Sequence, residues 1–379
     1  MSGTAGQVYL VTGGCGFLGK HLVRMLAENG EGISEIRAFD LRPDREIETL
    51  STDAVRVKFI EGDITDYSNV REAVRGVDVV INSAALVDIW GKNPPSKIWA
   101  VNYHGTCNVL EACKELGVQY LLHTSTMEVV GPNMKGDHFI RGNEETEYNV
   151  QNTGPYAQSK AEAEKLVLQA NGEKVKVKGR RGSQVEGQKT LVTCALRPTG
   201  IYGEHNALMA NLYRELVSCG RRRLRLAKKE VEHARVYVGN VAWMHLLAAR
   251  ALQRTPDILG GQAYFCYDDS PYLSYEDFDM ELLGPCGIRM LGQRPPLPFC
   301  ALYLLALLAE VLCWLLRPLV NFNPALNRHT LRIVTTAFTV RTDKAARHFG
   351  YRPLVPWTES KARTTNWAQS LDAEMSKKQ

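Results

Sequence analysis

The sequence predicts a doubly wound α/β fold, and three observations carry that prediction. A short apolar run, Val8-Tyr9-Leu10-Val11, ends in glycines and passes at once into an amphipathic helix pattern at Leu18, Leu22, Val23 and Leu26. Further apolar runs at 35–39, 55–60, 77–81 and 118–123 alternate with helix-like stretches, the mark of parallel strands joined by crossover helices. At 379 residues and 45% hydrophobic content, the chain can bury one large core, or a core and a lobe.

The formal net charge of +5 is too mild to imply a nucleic-acid partner. Nine cysteines are scattered without a C-x-x-C pair or a paired histidine spacing. No disulfide framework and no metal site is expected, and the thiols point to a reducing compartment. The first strand begins within a few polar residues, which leaves no room for a signal peptide. The glycine loop is therefore expected to face the cytosol.

That loop reads Gly13-Gly14-Cys15-Gly16-Phe17-Leu18-Gly19. Strand, glycine turn and helix in this order place a pyrophosphate on a helix N-terminus, where free N–H groups and the helix dipole favour negative charge. Gly13 would make the tight turn, Gly16 would admit the phosphates and Gly19 would let the helix pack close. Asp40 closes the next apolar run at the distance where a carboxylate meets an adenosine ribose. It would accept from the ribose hydroxyls and repel a 2′-phosphate, so NAD is expected rather than NADP. Arg42, two residues on, is the one residue that could hold that phosphate. Asp63, after the third run, fits either the adenine amino group or an ordinary helix N-cap. Asn82-Ser83-Ala84-Ala85 follows the fourth run, and Ala84 would let the backbone approach the cofactor.

Ligands in such folds bind beyond the carboxyl ends of the strands, which directs attention to Thr124-Ser125-Thr126. Some thirty residues later comes Tyr156-Ala157-Gln158-Ser159-Lys160, opening another helix. Tyr156 and Lys160 are i,i+4 and share a helix face. A free tyrosine, with a pKa of about 10, is a poor base at neutral pH; a neighbouring cation favours its phenolate.

Together the glycine loop, Asp40, Asp63, Thr126 and Y-x-x-x-K resemble an extended short-chain dehydrogenase/reductase. Three longer phrases resemble the 3β-hydroxysteroid dehydrogenase/Δ5-Δ4 isomerase family. They begin at Thr124-Ser125-Thr126-Met127-Glu128, at Arg235-Val236-Tyr237-Val238-Gly239, and at Tyr267-Asp268-Asp269-Ser270-Pro271. The wording of 197–204 and 264–291 is similar to the branch acting on 27-carbon sterols in bile-acid synthesis. The resemblance implies a Rossmann-type doubly wound parallel sheet, a smaller C-terminal substrate lobe and an apolar membrane-associated helix. It implies NAD-dependent oxidation of a sterol 3β-hydroxyl at the endoplasmic reticulum, with Tyr156 as base, Lys160 stabilising the phenolate and binding the nicotinamide ribose, and Thr126 orienting the oxygen. Thr126 stands where the family has serine, and Ser125 should face the other way if strand alternation persists. In the family, the acidic pair matching Asp268 and Asp269 is associated with isomerisation, although turn residues would look the same. A nucleotide-sugar epimerase shares the Tyr/Lys pair, and a silent NAD-binding membrane protein is the rival from outside catalysis. The apolar stretch and the intact Thr126/Tyr156/Lys160 set argue against them.

The expected organisation is a cofactor domain over 1–200, a substrate lobe over 201–296 with segments returning to the core, an apolar segment over 297–320 and a closing region over 321–379. A basic insertion at 173–189 reads as a solvated loop or a contact for anionic headgroups. Arg221-Arg222-Arg223-Leu224-Arg225 reads as a solvated basic face, and His245 as a packed helix residue. The stretch 297–316 carries Glu310 as its only charge. It is apolar nearly all round, which favours a membrane-inserted or interfacial helix over a core helix. Assembly into a homo-oligomer is left open.

Overall fold

The computed structural model describes residues 6–88, 91–151, 154–176, 189–316 and 327–376. Seven strands form one parallel sheet: β1 (Gln7–Thr12), β2 (Ile33–Asp40), β3 (Arg56–Glu61), β4 (Val79–Asn82), β5 (Tyr120–Thr124), β6 (Val192–Pro198) and β7 (Gln262–Cys266). Their order is β7-β6-β5-β4-β1-β2-β3. The direction of winding reverses between β1 and β4, so a crevice opens beyond the ends of these strands.

The central strands are buried on both faces. Val79, Val80 and Ile81 in β4 and Leu10 and Val11 in β1 are fully enclosed, as expected of a parallel sheet covered by helices. One face packs on α1 (Phe17–Asn29), through Leu22, Val23 and Leu26. The other packs on the helix Gly105–Leu116, through Val109, Leu110 and Cys113. Before it come the short helix Pro95–Trp99 and a single π turn, Ala100–His104.

Segments far along the chain complete this core. The helix Val238–Arg254 lies against α1 and β5, and β7 extends the sheet beside β6. A second cluster joins Tyr202, Tyr213, Phe278, Leu282, Ala368 and Leu371. In that lobe Arg222–Leu224 pairs with Arg289–Leu291, and the solvated-face reading of the arginine run holds for Arg222 alone, which is exposed. Arg221, Arg223 and Arg225 project to one side and pair with Asp372, Asp279 and Asp277. Arg225 is 2% exposed, so its pair with Asp277 clamps the lobe from within.

The flanks of the basic insertion are tied down, with Lys174 bridging antiparallel to Thr190. Its middle, 177–188, lies outside the described residues, as do Arg317 and Pro318 beyond the apolar stretch. That stretch forms the helix Phe299–Leu316. Only Leu302 and Ala306 in it are buried, which rules out the core-helix alternative. Its mean hydropathy is 2.3, making it the one helix among the described residues long and apolar enough to cross a membrane.

Candidate active site

The glycine loop follows β1, and each glycine has its own steric reason. Gly13 has a φ of +67°, and a Cβ there would stand 2.8 Å from the Ala84 Cα. Gly14 presses on Ala38 of β2, and a Cβ on Gly19 would come within 1.9 Å of the Gly13 carbonyl oxygen. Gly19 therefore lets α1 close onto the loop itself. Around Gly16 a Cβ meets only the Gly13 carbonyl, at 3.1 Å, so this side of the loop is open. Gly16 is also the N-cap of α1 and offers no side-chain cap. The first N–H groups of a helix, here those of Phe17, Leu18 and Gly19, have no intrahelical acceptor, which leaves them for an anion.

Asp40, at the end of β2, accepts from the Cys15 N–H at 3.1 Å and the Arg42 N–H at 3.1 Å. It thus fastens the loop and stands beside it. Burial first, and then Asp40 and Asp44, push the Cys15 thiol up to about 11, so it remains a neutral thiol. Asp63 follows β3 and accepts from the Thr65 N–H at 2.9 Å. The helix N-cap here is Asp66, which accepts from Ser68; Asp63 closes the turn before it. Ala84 follows β4 and donates its N–H to Thr12 Oγ1 at 3.1 Å. All these residues stand along the same carboxyl edge.

Beyond β5 the backbone stays extended at Thr126 (φ −157°, ψ 155°), so Ser125 and Thr126 face opposite ways. Ser125 is buried, and its hydroxyl has no partner among the described residues. The Thr126 hydroxyl accepts from the Glu128 N–H at 3.3 Å and stands beside the Tyr156 hydroxyl, whose ionised form it favours. Strand alternation thus selects Thr126 as the partner of Tyr156. Tyr156 lies in the first turn of the helix Pro155–Gln169, which packs on the short turn Met127–Val129. Burial raises its phenol above the ordinary tyrosine range, the Glu128 carboxylate adds to this, and Thr126 opposes it.

Lys160, one turn later, is 2% exposed. Its ammonium position lies 2.6 Å from the Thr124 carbonyl oxygen and 3.3 Å from His123 Nε2. Burial pulls it down to about 8, against the pull of Glu164. The Glu164 carboxylate is held by Arg197 through two bonds, at 2.9 and 2.6 Å. His245 is indeed packed, yet it also joins the site. Its Nδ1 faces the Val241 carbonyl at 2.8 Å and its Nε2 the Thr124 hydroxyl at 2.8 Å.

Two residues were missed by the sequence reading. Glu128 is half-buried, and burial lifts its carboxyl to about 7. His123 sits beneath Lys160. Each stands within three residues of Thr126, so only their proximity to that hydroxyl could have flagged them.

The acidic pair of the expected isomerase site is tied up elsewhere. Asp268 accepts from the N–H of Tyr237 at 2.8 Å, from Asn240 at 2.9 Å and from the N–H of Ser270 at 2.9 Å. Asp269 accepts from the N–H of Trp357 at 3.0 Å. These bonds tie Asp268 to the helix Val238–Arg254 and Asp269 to the start of the C-terminal helix at Trp357.

Comparison with known proteins agrees with this geometry. The 3-beta hydroxysteroid dehydrogenase/isomerase family matches residues 10–298. The chain is 53% identical to 3 beta-hydroxysteroid dehydrogenase type 7 of Mus musculus and 54% identical to that of Homo sapiens, over 96% of each chain in both cases. Among solved structures, dTDP-glucose 4,6-dehydratase from Streptomyces venezuelae, solved with NAD bound, superposes with a TM-score of 0.67 at 20% identity, covering 96% of this chain and 97% of that one. At that identity the likeness concerns the fold alone. The full-length matches to the two mammalian enzymes are of another order, and the chain belongs to the 3-beta hydroxysteroid dehydrogenase/isomerase family.

Proposed function

We propose that this chain is an NAD-dependent 3β-hydroxysteroid dehydrogenase acting on a Δ5 sterol, with a 7α-hydroxylated 27-carbon sterol of bile-acid synthesis as its substrate class. The observation that carries the reading is the hydroxyl pair of Thr126 and Tyr156 with Lys160 behind it, on the same strand edge as an uncapped helix N-terminus and Asp40. The mammalian type 7 relatives support the substrate class.

The loop fits NAD. The open side of Gly16 and the free N–H groups of α1 suit a pyrophosphate, and the Asp40 carboxylate suits ribose hydroxyls rather than a 2′-phosphate. NAD, when bound, accepts a hydride. The protein's part is then to hold the alcohol and move its proton. Thr126 orients the 3β-oxygen, Tyr156 takes the hydroxyl proton and Lys160 supplies the field behind it.

The 3-ketone so formed acidifies carbon 4, and a Δ5 to Δ4 shift follows in the same pocket. Glu128 is the carboxyl that acts on Tyr156, and a group raised to about 7 can both take and return a proton near neutral pH. Glu128→Gln should therefore slow isomerisation more than oxidation, read as accumulation of the Δ5-3-ketone over the conjugated Δ4-3-ketone in the ultraviolet. Equal slowing of both steps would return the isomerase carboxyl to the search.

The exposed apolar helix Phe299–Leu316 supports attachment to the endoplasmic reticulum membrane, with the glycine loop on the cytosolic side. The deciding experiment is turnover of purified protein with NAD and a panel of 3β-hydroxysterols, following NADH absorbance. No NADH from any member of the panel would overturn the reading.

A further inference from the structure

By length and composition the helix Phe299–Leu316 could cross a bilayer. Its 18 residues rise about 27 Å, close to the ~30 Å of a hydrocarbon core. Its packing decides otherwise. Leu302 and Ala306 are its buried residues, and Glu310 follows them on the same face, at i, i+4 and i+8. That face meets the next helix, Arg328–Thr335. Glu310 accepts from the Arg328 N–H and from its guanidinium, both at 2.7 Å. The Arg332 guanidinium lies 4.6 Å from the centre of the Phe299 ring, so the second helix runs back along the first. It rests in turn on the catalytic body. A Cβ on Gly136 would stand 2.6 Å from Arg332 Nη1, and one on Gly154 would stand 3.8 Å from His329 Cε1. Gly154 is the N-cap of the helix that carries Tyr156.

The chain beyond the hairpin returns to the same body. Phe338–Val340 pairs in parallel with Phe139–Gly142. The Tyr351 hydroxyl donates to the Tyr267 carbonyl at 2.7 Å, and the Asn240 amide to the Val355 carbonyl at 2.8 Å. Arg221 holds Asp372 at 3.0 Å. A single crossing would put 327–376 on the far side of the membrane from the glycine loop and break every one of these contacts. A return crossing would need a second span of about 20 residues. Only the ten residues 317–326 separate Leu316 from Asn327.

We propose that Phe299–Leu316 is a monotopic anchor that lies along the bilayer surface and does not cross it. Leu304, Leu308, Val311, Leu312 and Leu315 are exposed on the side of the helix turned away from Leu302 and Ala306. They enter the acyl layer, to the ~5–10 Å typical of a helix lying in the interface. The docked side keeps Glu310 paired with Arg328 and out of the hydrocarbon, where a charge is costly. One helix, Arg328–Thr335, then stands between the anchor and the start of the catalytic helix.

The proposal rests on the membrane attachment read above, and its test separates the two. The full chain is made in the presence of sealed endoplasmic reticulum vesicles, with an Asn-x-Thr glycosylation tag either ahead of Met1 or after Gln379. Both tags should stay unglycosylated and be digested by protease added outside. Glycosylation of the tag after Gln379 would overturn the flat orientation and leave attachment standing. Recovery of the chain in the supernatant after a carbonate wash would overturn attachment, and the proposal with it. Depth gives a second reading. Leu304 and Leu315 lie on one side of the helix, about 16 Å apart along its axis. The tryptophan added by Leu304→Trp or by Leu315→Trp should be quenched best by the same bromine position in brominated phosphatidylcholine vesicles. Best quenching at depths about 16 Å apart would mean a crossing. No added quenching at either position, with the chain recovered as a dimer, would give the face to a second copy and overturn the proposal.

Discussion

The carboxyl edge of the sheet and the helix Phe299–Leu316 break the usual partition of side chains in opposite directions. Beneath the edge, Thr12, Asn82 and His123 are fully buried and Lys160 almost so. Each finds its partner within the chain, which is what a buried polar group requires. On the helix, Leu304, Leu308 and Leu312 are more than half exposed, and Trp314 is 70% exposed. Nothing among the described residues covers them. The first region is closed on itself. The second is complete only against an apolar medium, and a monomeric soluble surface rarely carries so continuous a patch. The sheet edge is where chemistry is built, and the helix is where a poorly soluble substrate would be met.

The largest expected effect comes from removing that apolar face. Replacing Leu304, Leu305, Leu308 and Leu312 with serine removes four side chains whose burial is worth about 1.5–3 kcal/mol each. The variant should move from the membrane pellet to the supernatant, while its glycine loop still binds NAD. The unmodified protein should stay in the pellet through high salt and alkaline carbonate. Release by salt alone would mean that basic surface charge, which salt screens, had held it there.

At the sheet edge, Tyr156→Phe keeps the ring and removes the ionisable hydroxyl. Turnover should fall by roughly 10²–10⁴-fold, with NAD binding retained in a direct titration. Near-normal turnover would remove Tyr156 from the reaction.

Stability separates the two kinds of ion pair in the same way. Arg197→Met leaves Glu164, 5% exposed, without its bidentate partner. Breaking a buried pair typically costs about 3–5 kcal/mol, which denaturant unfolding should detect. Arg347→Ala breaks an exposed i,i+4 pair with Asp343 and should cost about 0.3–0.5 kcal/mol. Equal losses would mean that burial does not set the value of these pairs.

What could be read in the sequence follows from the same contrast. Gly13, Asp40, Ala84, Thr126 and the Tyr156/Lys160 pair sit at strand ends or one helical turn apart, so spacing alone puts them on the edge. The exposed helix was legible because nothing but composition defines it. His123 was not, because its contacts with Lys160 and Asn82 span 37 and 41 residues. The arginines at 221, 223 and 225 were misread for a related reason. Their spacing shows that they share one face of a strand, but the acids that bury that face come 52 residues or more later. The partners of Asp268 and Asp269 were not legible either, because the N–H groups they hold, at Tyr237 and Trp357, lie 31 and 88 residues away.

The last expected effect is on cofactor choice, and it sharpens the view of the edge as a closed polar surface. On the reading proposed above Asp40 would do two things at once, because its carboxylate oxygens hold the Cys15 and Arg42 N–H groups and its charge would meet the adenosine ribose. Asp40→Ala removes both. Loss of charge-assisted bonds worth about 1.5–3 kcal/mol should weaken NAD by about 10–100-fold, while NADP gains from the loss of repulsion at its 2′-phosphate. The ratio of kcat/KM for NAD over NADP should therefore fall by at least about tenfold. Asp40→Asn keeps an acceptor for the loop and removes the charge. If the loop bonds dominate, Asn should hold NAD nearly as well as the wild type; if the charge dominates, Asn should follow Ala in losing discrimination. Faster turnover of the wild-type protein with NADP than with NAD, at equal concentrations, would show that Arg42 rather than Asp40 sets the choice.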